Sequence, residues 1–238
     1  MRTLSAFALA LALAPAAAQD AARVNPKIVS VVFEDARVRV LRVRLAPHET
    51  LAMHSHPAKA VVCITTNDTR ITRADGAVSD NHCDAGKISW SAPVQHAVEN
   101  LSARPIDNIE IEFKQAAEPA VEVHTQPSPR NPPGSEPIPV EQEPHHHWTY
   151  ENQYVRMLEV KLGPGETTLM HTHSHDNVAV RLSEATIQRQ DAGKEWSPAA
   201  KVAPGEATFT EGAKRPYTHR LKNVGATTFH VIDIELLQ

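Results

Sequence analysis

Apolar and polar residues alternate along much of the chain with a period of two. Val38 and Val40 alternate with arginines, and Ile109, Ile111 and Phe113 alternate with acidic residues. This period is typical of antiparallel strands that bury one face, and turns containing Pro or Gly separate the runs. After residue 18, no segment shows a helical pattern over ten or more residues. The pattern therefore predicts an all-β protein.

The chain contains two copies of one unit. A shift of 117 residues aligns residues 33–57 with residues 150–174 without a gap, and 12 of the 25 positions are identical. Farther along, a shift of 123 residues aligns Asn100 with Asn223 and Glu112 with Glu235, so the second copy has a longer loop. Short strands in units of this size favour small β-barrels or jelly rolls. We place the two units at residues 24–114 and 145–238.

Residues 115–144 lie between the copies and contain eight prolines. Proline-rich sequence favours an extended, semi-rigid backbone and is typical of connectors. We therefore interpret this stretch as a linker.

The first 18 residues have the pattern of a secretory signal peptide. Arg2 gives a positive start, an apolar run covers residues 4–14, and residues 16–18 offer an A-x-A cleavage site. The run is too short to span a bilayer, which takes about 20 apolar residues, and no other stretch is long enough. We expect a secreted or periplasmic protein with no membrane span in the mature chain. In an oxidising compartment Cys63 and Cys83 can pair, but spacing alone leaves two free thiols as the alternative.

The charge of the chain bears on its partners. The 238 residues include 24 Lys and Arg against 28 Asp and Glu, a formal net charge of −4, which gives no support to a nucleic-acid partner. The expected partners are a small-molecule substrate or ligand, and barrel edges also offer a route to an oligomer. Histidine stands out, with 14 residues.

Each copy carries three histidines at equivalent positions. They are His54, His56 and His96, and His171, His173 and His219. The i, i+2 spacing of the first two puts both side chains on one face of a strand. Three imidazoles bind divalent transition metals and leave coordination positions open, so we predict a site for Fe, Mn, Ni, Cu or Zn in each copy. The alternative, strand histidines with no chemical role, is disfavoured because both copies carry the same trio.

These residues resemble the two motifs of the cupin superfamily. The pattern P-x-E-x-x-x-M-H-x-H covers residues 47–56 and 164–173, and P-x-x-H-x-x-x-N covers residues 93–100 and 216–223. The duplication resembles a bicupin, which implies two tandem jelly-roll β-barrels. The resemblance also implies a metal held by three histidines and usually a glutamate.

The glutamate of the motif is missing from both copies. Its positions hold Ala60 and Val61 in the first copy and Asn177 and Val178 in the second. The loss removes the first candidate for a general base. Three neutral ligands also leave the charge of the metal uncompensated, which favours an anionic substrate or hydroxide.

The segment after the second histidine distinguishes the copies. Asp176 or Asn177 can supply a fourth ligand in the second copy, whereas Lys59 repels a cation in the first unless its stem carries the ammonium to solvent. We therefore predict tighter metal binding, and any reaction, in the second copy.

Residues 145–147 are three successive histidines that cannot all face one pocket, and we interpret them as an ordinary strand edge, with a surface metal patch as the alternative.

Three functions remain open. The first is a metal-dependent, dioxygenase-like oxidoreductase acting on a small organic molecule, and the second is a non-catalytic protein that binds a metal or a small ligand. The third, a sugar isomerase or epimerase, ranks last because few tyrosines are available as acid–base partners. Trp90 is expected to fill its barrel, or else to line the pocket mouth.

Overall fold

The computed structural model describes residues 19–116, 120–123 and 136–237, and these form two barrels with the same order of strands. The first barrel contains α1 (Ala21–Val24), β1 (Val29–Glu34), β2 (Val38–Leu45), β3 (Thr50–His56), β4 (Lys59–Cys63), β5 (Asn67–Arg73), β6 (Val78–Cys83), β7 (Ile88–Ser91), β8 (Val94–Asn100) and β9 (Ile106–Phe113). The second contains β10 (Ile138–Pro139), a 3-10 helix (Val140–Gln142), β11 (His146–Glu151), β12 (Val155–Leu162), β13 (His171–His173), β14 (Asp176–Arg181), β15 (Ala185–Asp191), β16 (Ala200–Val202), β17 (Ala207–Thr210), β18 (Tyr217–Asn223) and β19 (Phe229–Leu236). The predicted signal peptide, residues 1–18, lies outside the described residues.

Each barrel is built from two sheets. In the first barrel their orders are β1-β2-β9-β4-β7 and β3-β8-β5-β6, and in the second they are β11-β12-β19-β14-β17 and β10-β13-β18-β15-β16. The nearly all-β architecture and the tandem jelly rolls predicted from the sequence are confirmed. Within the described ranges, no helix has the length and apolar character needed to cross a bilayer.

The strand register confirms the internal repeat. Arg39 on β2 lies opposite Glu112 on β9, and Arg156 on β12 lies opposite Glu235 on β19. Equivalent positions can therefore be read from the pairing itself, independently of sequence identity.

The two barrels share one apolar interface. Val38 and Val40 of the first five-stranded sheet belong to the same core cluster as Met157 of the second, while the other face of each sheet lines its own barrel. The Trp90 ring stacks on the Tyr154 ring with 5.7 Å between centroids. The expectation that Trp90 fills its barrel or lines the mouth is therefore wrong. The outward face of its strand is apolar, because that face is covered by the second barrel.

A short segment before each barrel packs beside the strand that carries two histidines. Ile138 on β10 pairs in parallel with His171, and an isolated parallel bridge joins Asp20 to Ser55 in the first barrel. The end of the Pro-rich stretch thus adds an edge strand to the second barrel.

Cys63 and Cys83 form a disulfide, with their Cα atoms 6.5 Å apart. The bridge joins the end of β4 to the end of β6 and so links the two sheets of the first barrel. The alternative of two free thiols, which the sequence spacing left open, is therefore wrong.

Candidate metal centres

The first trio of histidines converges inside the first barrel. His54 and His56 lie on β3, and strand pairing places His96 of β8 directly opposite His54. One ring nitrogen from each of the three lies within 4.8 Å of the others, and all three side chains are buried.

Hydrogen bonds orient two of these rings. His54 donates from Nδ1 to the Ala52 carbonyl at 2.7 Å, and His56 donates from Nδ1 to Glu112 at 2.6 Å. The opposite nitrogen, Nε2, is thereby left as an acceptor with a free lone pair, which is the form that binds a metal.

The Nε2 atoms of the first trio are buried and have no hydrogen-bond partner among the described residues. Leaving one buried polar atom unsatisfied costs about 1–3 kcal/mol, so three in one place require a ligand. Burial lowers the pKa of His54 to about 4 and that of His96 to about 3, so both rings are neutral at pH 7. This donor set fits a divalent transition metal.

Four histidines converge in the second barrel. His171 and His173 lie on β13, and His219 on β18 lies opposite His171. His146 joins them from β11, with ring nitrogens of His146, His171 and His173 all within 4.8 Å of one another. His219 Nε2 lies 3.2 Å from His173 Nε2. Two imidazole nitrogens at this distance need either a proton between them or a shared cation.

His146 is a site residue that sequence reasoning missed. Its position in the register, opposite Val160, corresponds to Val29 opposite Val43 in the first barrel, so the first copy has no equivalent histidine. Alternation did indicate that the middle histidine of residues 145–147 faces away from its neighbours. The interpretation as an ordinary edge is wrong for His146, because its side chain lies on the inward face of β11.

A buried carboxylate orients His146. Glu143 accepts a hydrogen bond from His146 Nδ1 at 2.6 Å and another from the Leu169 backbone N–H at 2.9 Å. Burial would raise the pKa of Glu143, but the bond and the charge of His146 outweigh it and lower the pKa to about 2. Nε2 of His146 is thereby left to face the other histidines.

Carboxylates reach both centres from an unexpected strand. Glu110 on β9 and Asp233 on β19 occupy equivalent positions, and each approaches the second histidine of its trio. Glu110 Oε2 lies 3.6 Å from His56 Nε2, and Asp233 Oδ2 lies 3.4 Å from His173 Nδ1. Both acids belong to the alternating runs already visible in the sequence, and their repetition in the two copies was the signal that could have identified them.

The partners of these two acids differ in charge. Lys59 Nζ lies 2.7 Å from Glu110, and Asn177 Nδ2 donates to Asp233 at 2.7 Å. Burial would raise the pKa of Glu110, but the Lys59 ammonium outweighs it and lowers the pKa to about 2. Burial, helped by the charge of Glu235, raises the pKa of Asp233 to about 8.

The lysine stays inside the first barrel, being only 3% exposed. The stem of Lys59 therefore does not carry the ammonium to solvent. The first centre therefore lies beside a buried Lys59–Glu110 ion pair, and the ranking of the two centres stays a prediction.

Asp176 does not reach the second centre, so its candidacy as a fourth ligand is wrong. Its carboxylate forms an ion pair with Arg37 of the first barrel and accepts the backbone N–H of Ala213. Strand pairing shows why, because Asn177, and not Asp176, is the equivalent of Lys59. The turn after His173 is one residue longer, and this reverses which side chain points inward.

A cavity of about 150 Å³ adjoins the second centre. Its lining includes His173, His219 and Tyr217 together with two arginines, Arg181 and Arg189. Beside His56 in the first barrel lies a surface depression of about 320 Å³, edged by Asp20 and Arg39, which form an ion pair with each other.

No protein-family model matches the sequence, and no curated protein matches it either. Comparison with solved structures does find similar folds.

AerE from Microcystis aeruginosa superposes with a TM-score of 0.59 at 11% identity, over 89% of this chain and 98% of that one. A single-residue mutant of Bacillus subtilis oxalate decarboxylase OxdC gives 0.53 at 13% identity, over 84% of this chain and 68% of that one. A mutant of salicylate 1,2-dioxygenase from Pseudoaminobacter salicylatoxidans, in complex with gentisate, gives 0.51 at 13% identity with the same coverage, 84% and 68%. These likenesses concern the fold, and they confirm the tandem cupin fold indicated by the sequence motifs.

Proposed function

We propose that this tandem cupin is an exported, metal-dependent oxidoreductase of the dioxygenase type, and that its reaction on a small organic molecule takes place in the second barrel. One observation carries the proposal. The cavity in the second barrel ends on His173 and His219, so a molecule in it lies beside the nitrogens that would hold the metal.

The residues present divide the work of such a site. His146, His171, His173 and His219 would hold a divalent transition metal, which supplies open coordination positions for the substrate and for dioxygen as co-reactant. Glu143 fixes the orientation of His146, and Asn177 holds Asp233 beside His173. Tyr217 packs its ring against His173, with 4.7 Å between centroids, and so limits the directions from which a substrate can approach.

The proposal gives the first barrel a different role. Its three histidines can hold a metal, but the carboxylate nearest them, Glu110, is already paired with the buried Lys59 ammonium and so offers less attraction to a cation. A non-catalytic metal- or ligand-binding function is therefore the second candidate, and this ammonium favours it for the first barrel.

Export is part of the proposal. The disulfide between Cys63 and Cys83 supports it, since such bridges persist mainly in oxidising compartments. Fractionation of the native cells with mass spectrometry of the mature chain tests it. Loss of residues 1–18 is the expected result, and a full-length cytosolic chain would contradict it.

The function itself is tested on protein purified without a His-tag. We expect metal analysis to find a divalent transition metal and oxygen uptake to follow when a substrate is added. The variant H171A/H173A should lose the uptake, while H54A/H56A should retain most of it. A metal-loaded protein that takes up no oxygen with any of a panel of small organic acids, phenols and diketones would favour the non-catalytic alternative.

A further inference from the structure

Arg181 of the second barrel forms no ion pair with a carboxylate among the described residues. It lies at the end of β14 and lines the cavity. Its Nη1 donates to the Ala179 carbonyl at 2.8 Å and to the Thr208 hydroxyl at 2.6 Å, both uncharged acceptors. Its Nε is buried and has no hydrogen-bond partner among the described residues.

Other half-buried arginines, Arg156 and Arg39, have carboxylate partners. Arg156 lies 2.7 Å from Glu151 and 2.9 Å from Glu235, and Arg39 lies 2.6 Å from Glu112. Burial lowers the pKa of Arg181, with Glu206 and Asp233 opposing the shift only through longer-range charge. The Arg181 side chain is half-buried, and a half-buried charge without a counter-ion is unfavourable, which indicates that an anion completes the site.

The rest of the cavity fits a small acid with an apolar body. Ile187, Leu221 and Phe229 supply an apolar wall. A cavity of about this volume takes one benzene ring in other proteins. Arg189 lies over the Tyr217 ring at 5.2 Å and also lines the cavity, but its guanidinium is paired with Asp191 at 2.7 Å, so Arg181 is the guanidinium left for a ligand.

The first barrel lacks this arrangement. Arg181 pairs with Val231 in the sheet, and the equivalent pair in the first barrel is Cys63 with Asn108. The disulfide therefore occupies the position from which the arginine reaches into the second barrel. The two copies have diverged at the residue that would recognise a ligand.

We propose that the second barrel binds a small carboxylic acid, whose carboxylate pairs with Arg181 and whose apolar body lies against Ile187 and Phe229. A planar guanidinium fork matches a carboxylate better than it matches a neutral amide. The inference names the substrate class of the site proposed above and rests on that proposal for the reaction, though not for the binding.

The experiment measures binding of benzoate and butanoate to the full chain by titration calorimetry, with metal-free and zinc-loaded protein. The matched neutral probes are benzamide and butanamide, and inorganic phosphate serves as a second anion. We expect at least one carboxylate to bind with one site per chain, about 10- to 100-fold more tightly than its amide and more tightly than phosphate. Equal affinity for each acid and its amide, or a preference for phosphate, would overturn the proposal.

Variants locate the contact. R181M should lose about 10- to 100-fold in carboxylate affinity, and R181K, which keeps the charge but not the fork, should lose less. R220M is the control, since Arg220 lies over Trp196 and bonds to Gln190 instead of lining the cavity. Unchanged affinity in both Arg181 variants would overturn the proposal.

Thermal melting separates recognition from a structural role. Without a carboxylate, R181M should melt at or above the wild-type temperature because it removes a half-buried charge that has no ion-pair partner. The carboxylate should raise the melting temperature of the wild type but not that of R181M. If R181M does not fold, R181K alone decides, and wild-type affinity in R181K overturns the proposal.

The two proposals fail differently. Carboxylate binding through Arg181 without oxygen uptake would refute the proposed reaction and leave this inference standing. Oxygen uptake on neutral substrates without carboxylate binding would refute this inference and leave the proposed reaction standing.

Discussion

His146 Nδ1 donates a hydrogen bond to Glu143 Oε2 over 2.6 Å, and both side chains are buried. The equivalent of His146 in the first barrel is Val29, and the Ala52 backbone N–H there is bound by Asn25, where the second barrel uses Glu143. The two centres thus differ in the number of imidazoles they offer. This difference, and the charged Lys59 at the position where the second barrel has the neutral Asn177, lead to the following predictions.

Removing His146 should weaken the second centre. H146A deletes one imidazole donor, and E143Q leaves the donor in place but weakens its orientation. We expect about a 10- to 100-fold loss of metal affinity for E143Q and a larger loss for H146A. Competitive titration with a chromophoric chelator measures both. H147A is the matched control, because the neighbouring side chain faces outward, and an H146A protein with wild-type affinity would remove His146 from the site.

The second centre should hold its metal more tightly than the first. Paired titrations of H54A/H56A and H171A/H173A isolate each centre in turn. H54A/H56A should keep the tighter phase of metal binding, and H171A/H173A should lose it. The reverse assignment of the two phases would contradict the ranking.

Neutralising Lys59 should strengthen the first centre. In the H171A/H173A background, K59M removes the ammonium and leaves Glu110, only 3.6 Å from His56 Nε2, without its ion-pair partner. We expect metal affinity to rise about tenfold or more, because a repulsive charge is lost and a carboxylate is freed. K87M, a change at an exposed lysine of the same barrel, is the control. Unchanged affinity in K59M would show that Lys59 does not act on the centre.

The disulfide should stabilise the first barrel. Cys63 and Cys83 are 20 residues apart, and closing a loop of this length stabilises the folded state by about 3 kcal/mol in the chain-entropy account. Denaturant unfolding of C63A/C83A should show a loss of this size, and reduction of the wild type should give the same result. A loss below about 1 kcal/mol would mean that the bridge adds little to barrel stability.

The apolar interface between the barrels should depend on Trp90. W90A removes the ring stacked on Tyr154, and we expect a loss of about 2 kcal/mol or more in the free energy of unfolding. Trp196 serves as the control because its ring lies under Arg220 outside the shared core cluster. If W90A and W196A destabilise equally, the interface does not have the importance assigned to it.

Much of the fold was accessible from the sequence because the relevant signals are local. The period of two identifies strands wherever one face is buried, and a gapless repeat of 25 positions reveals a duplication without knowledge of either structure. The H-x-H spacing likewise places His54 with His56 on one face, whatever the rest of the barrel does.

The features that the sequence did not predict depend on packing. Asp176 and Asn177 exchange roles because of one extra residue in a turn, and side-chain parity beyond a turn is not encoded in the pattern. The burial of Glu110 and Asp233 was hidden because alternating acids look like a solvated face. Both faces of each strand, β9 and β19, are covered, one by the interior of its own barrel and the other by the neighbouring barrel, which only the tertiary structure reveals.

The most direct test of the central claim uses the full chain loaded with Co²⁺, whose visible absorption reports on its ligands. The claim is that a carboxylate in the second barrel lies beside a metal held by His171, His173 and their neighbours. Benzoate or butanoate should change the cobalt spectrum of the wild type and of H54A/H56A, and it should leave that of H171A/H173A unchanged. A spectral change that survives in H171A/H173A and disappears in H54A/H56A would place the ligand at the first barrel and contradict the account.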